Sequence, residues 1–117
     1  MYNKNSNNES DNFRICDGFM LTISLISGKY KMIILYILYK LKSVRYNELK
    51  RIIGDIYHKT LSSTLKELEK DDLIIRKDYN QIPRKVEYSL SKNGKSLIPI
   101  LKSMSKWGED NRKLNLK

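Results

Sequence analysis

One segment decides the fold: Ile56-Tyr57-His58-Lys59-Thr60-Leu61-Ser62-Ser63-Thr64-Leu65-Lys66-Glu67-Leu68-Glu69-Lys70. At about 100° per residue, Leu61, Leu65 and Leu68 fall on one stripe of a helix. The opposite stripe carries ammonium groups and short hydroxyls, from Lys59, Ser62, Ser63, Lys66 and Lys70. One face therefore suits a protein core, and the other suits phosphates and base edges in a major groove. An ordinary amphipathic helix with a solvated face has the same pattern, so this segment alone leaves both interpretations open.

Two strand-like runs follow this helix, at residues 73–79 and 85–90. In the second run Val86, Tyr88 and Leu90 alternate with polar residues, which is the period of a half-buried strand. The five residues between the runs include Pro83 and Arg84, and their number suits a β-hairpin loop. A helix with a basic outer stripe followed by a short hairpin with a basic tip is typical of a winged helix-turn-helix.

The segments before this pair complete such a domain. Residues 19–26 and 31–41 are predicted helices, and the second is apolar nearly all round, which indicates a buried central helix. Residues 43–46 are predicted to form a short edge strand. Asn47 is the predicted N-cap of a helix over residues 48–53, with Leu49, Ile52 and Ile53 facing inward and Gly54 as its C-terminal stop. The fold class is α+β, mainly α, with a small antiparallel sheet.

The C-terminal part of the chain is predicted to be helical after a cap at Ser91. Pro99 removes one backbone donor, so the helix should bend or restart there. Leu97, Leu101, Met104 and Trp107 recur at i, i+4, i+7 and i+10 and form a long apolar stripe. This stripe either folds back on its own subunit or contacts a second copy of the chain.

Several motifs together resemble those of the HxlR-type winged-helix transcriptional regulators, relatives of the MarR-like repressors. The resemblance covers about residues 16–110, nearly everything outside the tail. The matching stretches are Gly28-Lys29-Tyr30, the apolar run 33–38, Arg45-Tyr46-Asn47-Glu48-Leu49, residues 61–73, Ile82-Pro83 with Val86-Glu87-Tyr88-Ser89-Leu90-Ser91 and Gly94, and Trp107. The chain departs from the family pattern at Asp72, which replaces a glycine, so a left-handed turn there would carry modest strain.

The resemblance implies a homodimer formed by the first and last helices of both chains. The predicted dimer contacts are Phe19, Ile23, Leu101, Met104 and Trp107. A two-fold dimer would present two recognition helices to half-sites about 34 Å apart on a pseudo-palindromic operator. Some members of the family sense oxidants through an N-terminal cysteine, which makes Cys16 a candidate redox sensor. The alternative for Cys16 is a small buried hydrophobic residue, and its spacing from Gly28 is one residue longer than the family pattern.

The predicted contacts with double-stranded DNA fall into three groups. Major-groove contacts are assigned to Lys59, Thr60, Ser62, Ser63 and Lys66. Wing contacts with the backbone or minor groove are assigned to Gln81, Arg84 and Lys85. Further phosphate contacts are assigned to Lys29 and, on the helix over residues 48–53, to Lys50 and Arg51, which could equally be solvated.

Composition agrees with a polyanionic partner. The 117 residues include 23 Lys and Arg against 13 Asp and Glu, giving a net charge of +10. A non-sequence-specific architectural DNA or RNA binder would share this charge, and a winged domain used for protein contacts is a third possibility. An enzyme is not indicated, because the chain has no glycine-rich phosphate loop and no nucleophile with a plausible base. The single His58 has no partner at metal-ligand spacing, so neither a metal nor a cofactor is predicted.

The chain is read as one domain over residues 13–117, preceded by a polar, disordered tail over residues 1–12. No apolar stretch approaches the roughly 18–20 residues that span a bilayer, so no membrane partner is predicted. A single cysteine excludes an internal disulfide framework and favours a reducing cytoplasm. The sequence indicates no effector.

Overall fold

The computed structural model describes residues 17–112. In this range the helices are α1 (Asp17–Ile26), α2 (Lys31–Leu41), α3 (Tyr46–Ile53), α4 (His58–Lys70), the single turn α5 (Lys92–Lys95) and α6 (Ile98–Asp110). The strands are β1 (Ser43–Arg45), β2 (Ile74–Asp78) and β3 (Val86–Leu90). The mainly helical α+β class, with its helix-turn-helix pair and wing, is confirmed. The predicted tail over residues 1–12 and Cys16 lie outside the described residues.

The strands form one antiparallel sheet in the order β1-β3-β2. Tyr88 of the central strand pairs with Val44 on one side and with Arg76 on the other. The backbone N–H of Tyr79 donates to the carbonyl of Lys85 at 2.8 Å, which closes the β2–β3 hairpin around the predicted five-residue loop. The edge strand and the wing therefore both pair with β3.

The core lies between α2, α4 and the sheet. Helix α2 supplies Ile34, Leu35, Ile37 and Leu38, and α4 supplies Leu61, Leu65 and Leu68, all buried. Each such side chain removed from water contributes about 1.5–3 kcal/mol, which is why the apolar stripes determine how these helices pack. The central position of α2 is confirmed, although Ile33 on its outer side remains 41% exposed.

Helix α3 begins two residues earlier than predicted. Asn47 is not its N-cap, because the carboxylate of Glu48 accepts the backbone N–H of Arg45 at 3.4 Å and so places the cap at Arg45. The prediction that Ile52 faces inward is also wrong, since Ile52 is 43% exposed while Leu49 is fully buried. Gly54 ends the helix with φ +87°, as predicted.

The junctions around the wing follow the predicted local chemistry. Asp72, where the family pattern has glycine, adopts φ +59°. The Ser91 hydroxyl accepts the N–H of Gly94 at 2.9 Å and donates to the carbonyl of Asp72 at 2.6 Å, so it caps α5 and fastens the turn after α4. Pro99 is the second residue of α6, so the helix restarts there.

Helices α1 and α2 meet at a turn in which Gly28 has φ +116°. No single helix within residues 17–112 has the length and apolar character needed to cross a membrane. The α1–α2 pair together meets those two criteria, with a bend of 80° between the helices.

Candidate nucleic-acid interface

Helix α4 has the two faces that its sequence predicts. Leu61, Leu65 and Leu68 are at most 2% exposed, so that stripe is fixed in the core. On the other side Lys59, Ser63 and Lys66 are exposed, while Thr60 and Ser62 are half-buried. The outer face is thus open, and its ammonium groups and the Ser63 hydroxyl are accessible to a ligand of duplex size.

The hydroxyl groups of α4 are already oriented by the protein. Ser63 Oγ donates to the Thr60 carbonyl at 3.1 Å. Ser62 Oγ lies 3.2 Å from the Tyr46 hydroxyl and 3.4 Å from His58 Nδ1. The Tyr46 hydroxyl also donates to the His58 carbonyl at 3.1 Å, and the two rings lie 5.0 Å apart. Since a hydroxyl has one donor and two acceptor lone pairs, each serine keeps an acceptor for a second partner.

The wing tip is organised by Asp78. Its carboxylate accepts the backbone N–H of Asn80 at 2.8 Å and a guanidinium N–H of Arg84 at 2.5 Å. These contacts, the Asn80 backbone bond first and Arg84 after it, hold the pKa of Asp78 below its usual value. Gln81 and Arg84 are exposed at the tip, and Lys85 is half-buried at its base.

A second polar cluster stands on the solvent side of the wing. The Tyr79 hydroxyl donates to Glu87 at 2.8 Å, and the ammonium groups of Lys77 and Lys85 lie 4.6 and 4.4 Å from the centre of the Tyr79 ring. The hydrogen bond raises the pKa of Tyr79 and lowers that of Glu87. The sequence pattern did not predict this cluster, because the cluster depends on the hairpin register, which sets Lys77 opposite Glu87.

The other predicted cationic contacts lie on separate elements. Lys29 is exposed ahead of α2, with its ammonium 5.2 Å from the centre of the Tyr30 ring. The Tyr30 hydroxyl donates to the Asp55 carbonyl at 3.1 Å, which ties the start of α2 to the α3–α4 turn. Lys50 is half-buried on α3.

The predicted dimer residues divide into two groups. Phe19 and Ile23 of α1 are 57% and 39% exposed, and Met104 and Trp107 of α6 are 53% and 65% exposed. Leu101 requires a correction: it is 3% exposed and packs in the core of its own subunit, so it has almost no surface left for a partner. Between α2 and α6 the chain leaves an apolar groove of about 540 Å³ that includes Ile33 and Met104.

In the part of the chain that the structure describes, no group of three or more His, Cys, Asp or Glu side chains could hold a metal ion. Cys16 lies outside that part.

Comparison with known proteins agrees with this geometry. The family model for the HxlR-like helix-turn-helix matches residues 25–115. The chain is 53% identical over 94 residues to a protein of Halalkalibacterium halodurans named as an uncharacterized HTH-type transcriptional regulator, BH0655; the match covers 80% of this chain and 83% of that protein.

Solved structures give the same result. The redox regulator HypR in its reduced form is 39% identical, with a TM-score of 0.78 over 84% of this chain and 96% of that one. HypR in its oxidized form is 40% identical, with a TM-score of 0.74 over 80% of this chain and 96% of that one.

Proposed function

Because the chain belongs to the HxlR-like helix-turn-helix family and is a transcriptional regulator rather than an enzyme, we propose that it binds specific duplex DNA sequences as a homodimer. Helix α4 enters the major groove, and the wing contacts the adjacent backbone or minor groove. A regulator of this kind acts where the DNA is, so we place it in the cytoplasm.

One observation carries the proposal. The face of α4 opposite its buried leucines is open and presents Lys59, Ser63 and Lys66, and the wing beside it exposes Arg84. Ammonium groups reach phosphates and the acceptor edge of guanine, while hydroxyls bond either donors or acceptors on base edges. Lysine is depleted in protein–protein interfaces, so this surface favours DNA over a protein partner.

Selection of bound duplexes from a random pool at about 150 mM salt tests this function. We expect a palindromic consensus whose half-sites are separated by about one helical turn, about 34 Å. Enrichment of no sequence would favour the alternative, a non-sequence-specific architectural binder, since phosphate contacts alone do not distinguish sequences.

The homodimer is supported by the exposed apolar side chains of the terminal helices. Isolated apolar residues are normal on a surface, but α1 and α6 present Phe19, Ile23, Met104 and Trp107 together with the open groove between α2 and α6. Light scattering at micromolar concentration should give a dimer mass. Trp107→Asp should give a monomer, whereas Ile82→Asp, at a wing residue that is 99% exposed, should not. A monomeric native protein would remove this part of the proposal.

A redox response through Cys16 is the second candidate function, supported by the likeness to HypR, a redox regulator solved in both oxidized and reduced forms. Cys16 is the one cysteine of the chain. In a dimer, an oxidant such as diamide would take two electrons and two protons from Cys16 and the partner's Cys16, and one disulfide would form.

Operator affinity measured before and after diamide treatment, in the native protein and in Cys16→Ser, tests this response. We expect a change in the native protein that Cys16→Ser abolishes and dithiothreitol reverses. Unchanged affinity in both proteins would exclude sensing through Cys16.

A further inference from the structure

A polar hollow of about 450 Å³ lies between the start of α3 and the base of the wing. Its lining includes three guanidinium-bearing residues, Arg45, Arg51 and Arg84, together with Asn47 and Glu48. They come from β1, α3 and the wing loop, so the fold brings Arg84 beside Arg45 and Arg51, which lie far earlier in the sequence. Arg45 is not among the predicted DNA contacts, and Arg51 is predicted only as a phosphate contact that could equally be solvated.

The hollow carries an excess of positive charge. Three guanidinium groups and one carboxylate line it, which leaves two positive charges without a compensating group among the lining residues. The carboxylate of Glu48 already accepts the backbone N–H of Arg45 at 3.4 Å. Arg84 pairs with Asp78, which uses only part of its five donors. The remaining donors of these arginines suit an anion with several acceptor oxygens.

The neighbouring acids neutralise this site only in part. Asp78 pairs with Arg84 at 2.5 Å, and Glu87 attracts Arg45 electrostatically. Glu87 faces Arg45 across the β1–β3 register, but it accepts the Tyr79 hydroxyl at 2.8 Å and lies 3.8 Å from the Lys85 ammonium. The eight-residue helix α3 also begins at the hollow, where the unpaired N–H groups of a first helical turn favour negative charge.

The position of the hollow relative to α4 and the wing points to one class of anion. Tyr46 lines the hollow, and its hydroxyl reaches Ser62 on the outer face of α4; Arg84, on another wall, belongs to the wing. The backbone of a duplex held by α4 and the wing would pass over the space between them. We propose that the hollow seats one phosphate of the DNA backbone, held by Arg45 and Arg51 and bordered by Arg84. This inference rests on the proposed function.

The proposal is tested by measuring the affinity for the selected duplex by fluorescence anisotropy at several salt concentrations. Arg45→Ala and Arg51→Ala should each weaken binding about tenfold at moderate salt, because hydrogen bonds to charged groups are the strong ones. The loss should be equal for selected and scrambled duplexes, and the slope of log K against log salt should fall by about 0.9 for each phosphate that the variant no longer neutralises. Lys92→Ala, which removes an exposed charge from α5, is the matched control and should change affinity and slope little.

Duplexes with one neutral methylphosphonate at each successive position locate the contact. The native protein should lose affinity when one particular phosphate of each half-site is neutralised, and Arg51→Ala should be insensitive at that same position. Lys92→Ala should remain sensitive there. Arg51→Lys keeps the positive charge, so it should recover part of the salt slope that Arg51→Ala loses. This recovery would show that the loss comes from the missing charge and not from altered folding.

Two results would overturn the proposal. The first is that the arginine variants behave like Lys92→Ala, and the second is that Arg51→Ala stays sensitive to every methylphosphonate position to which the native protein is sensitive. A native protein that selects no duplex would instead refute the proposed function itself. The two failures are therefore distinguishable.

Discussion

The hydroxyl of Tyr46, on the first helix of the helix-turn-helix, lies 3.2 Å from Ser62 Oγ on the second. The same hydroxyl donates to the carbonyl of His58, in the first turn of α4. A single side chain of α3 thus fixes both the start of α4 and the orientation of one of its predicted base-contacting groups.

Tyr46→Phe should therefore affect stability and DNA discrimination together. Loss of a partly buried hydrogen bond should lower the free energy of unfolding by about 1 kcal/mol. Because Ser62 would lose one of its two partners, the ratio of affinities for the selected duplex and a single-base variant should also change. Urea unfolding and anisotropy measure the two effects.

Tyr57→Phe is the control for that experiment, since Tyr57 adjoins α4 but is 83% exposed. It should stay within about 0.5 kcal/mol of the native protein. Equal behaviour of the two variants would show that the Tyr46 hydroxyl does not orient Ser62.

The stability of the protein should depend on pH through the hydrogen bond between Tyr79 and Glu87 in the wing. The Tyr79 hydroxyl lowers the pKa of Glu87, so the stability that this bond contributes is present above the usual carboxyl pKa, about 4.3, and is lost as pH falls through the lower folded value. The pKa of Tyr79 is raised by the same bond, so its contribution is present below about pH 10 and is lost as pH rises through the folded value.

Tyr79→Phe should accordingly be less stable than the native protein at neutral pH, and the difference should shrink as the solution is acidified below about pH 4. Urea midpoints across this range measure it, with Tyr57→Phe as the reference. A difference that is constant with pH would mean that Glu87 is not stabilised by this hydroxyl.

Gly94 should be among the least replaceable positions of the chain. A Cβ added there would lie 2.0 Å from the carbonyl oxygen of Leu73, a backbone atom that cannot move aside alone. Gly94→Ala should cost about 1–3 kcal/mol or more, because a close-packed site must shift to admit the methyl group.

Gly108→Ala should have the opposite effect on the free energy of unfolding. Gly108 lies within α6 and a Cβ there meets nothing within 4 Å, so alanine should stabilise that helix by up to about 1 kcal/mol. Thermal unfolding of both variants gives the comparison. A neutral Gly94→Ala would contradict the close approach of α5 to Leu73.

The periodicity of apolar residues predicted the helices and strands of this fold, because the need to bury those residues determines where the elements form. The leucine stripe of α4, the alternation in β3, Gly54 and Ser91 all lie where their local chemistry places them. Helix starts and faces were less predictable. Asn47 is a good cap in isolation, but the reach of Glu48 back to the Arg45 N–H decides the start of α3.

Tertiary contacts account for the remaining differences. Leu101 shares a sequence stripe with Met104 and Trp107, yet of these three only Leu101 is buried in the core, so the stripe alone does not show which of its residues the domain covers. The Tyr79–Glu87 pair and the arginine hollow depend on strand register and on the packing of α3 beside the wing, which a one-dimensional pattern does not contain.

The open face of α4 and the wing tip should be separable by mutation. Arg84 sits at the wing tip with its guanidinium held by Asp78, so Arg84→Ala should weaken binding to all duplexes alike and reduce the salt slope by about one unit. Ser63→Ala should instead change the preference between duplexes, because its exposed hydroxyl keeps acceptor lone pairs beyond its bond to Thr60.

Anisotropy with the selected duplex, single-base variants of it and a scrambled duplex distinguishes these effects. A discrimination change of about 1–3 kcal/mol at one base position would assign a direct contact to Ser63, since that is the usual range for a mismatched base pair. If Ser63→Ala lowered affinity equally for every duplex while Arg84→Ala altered the preference, the roles assigned to the helix and the wing would be reversed. If neither variant changed binding, α4 would not lie in the groove.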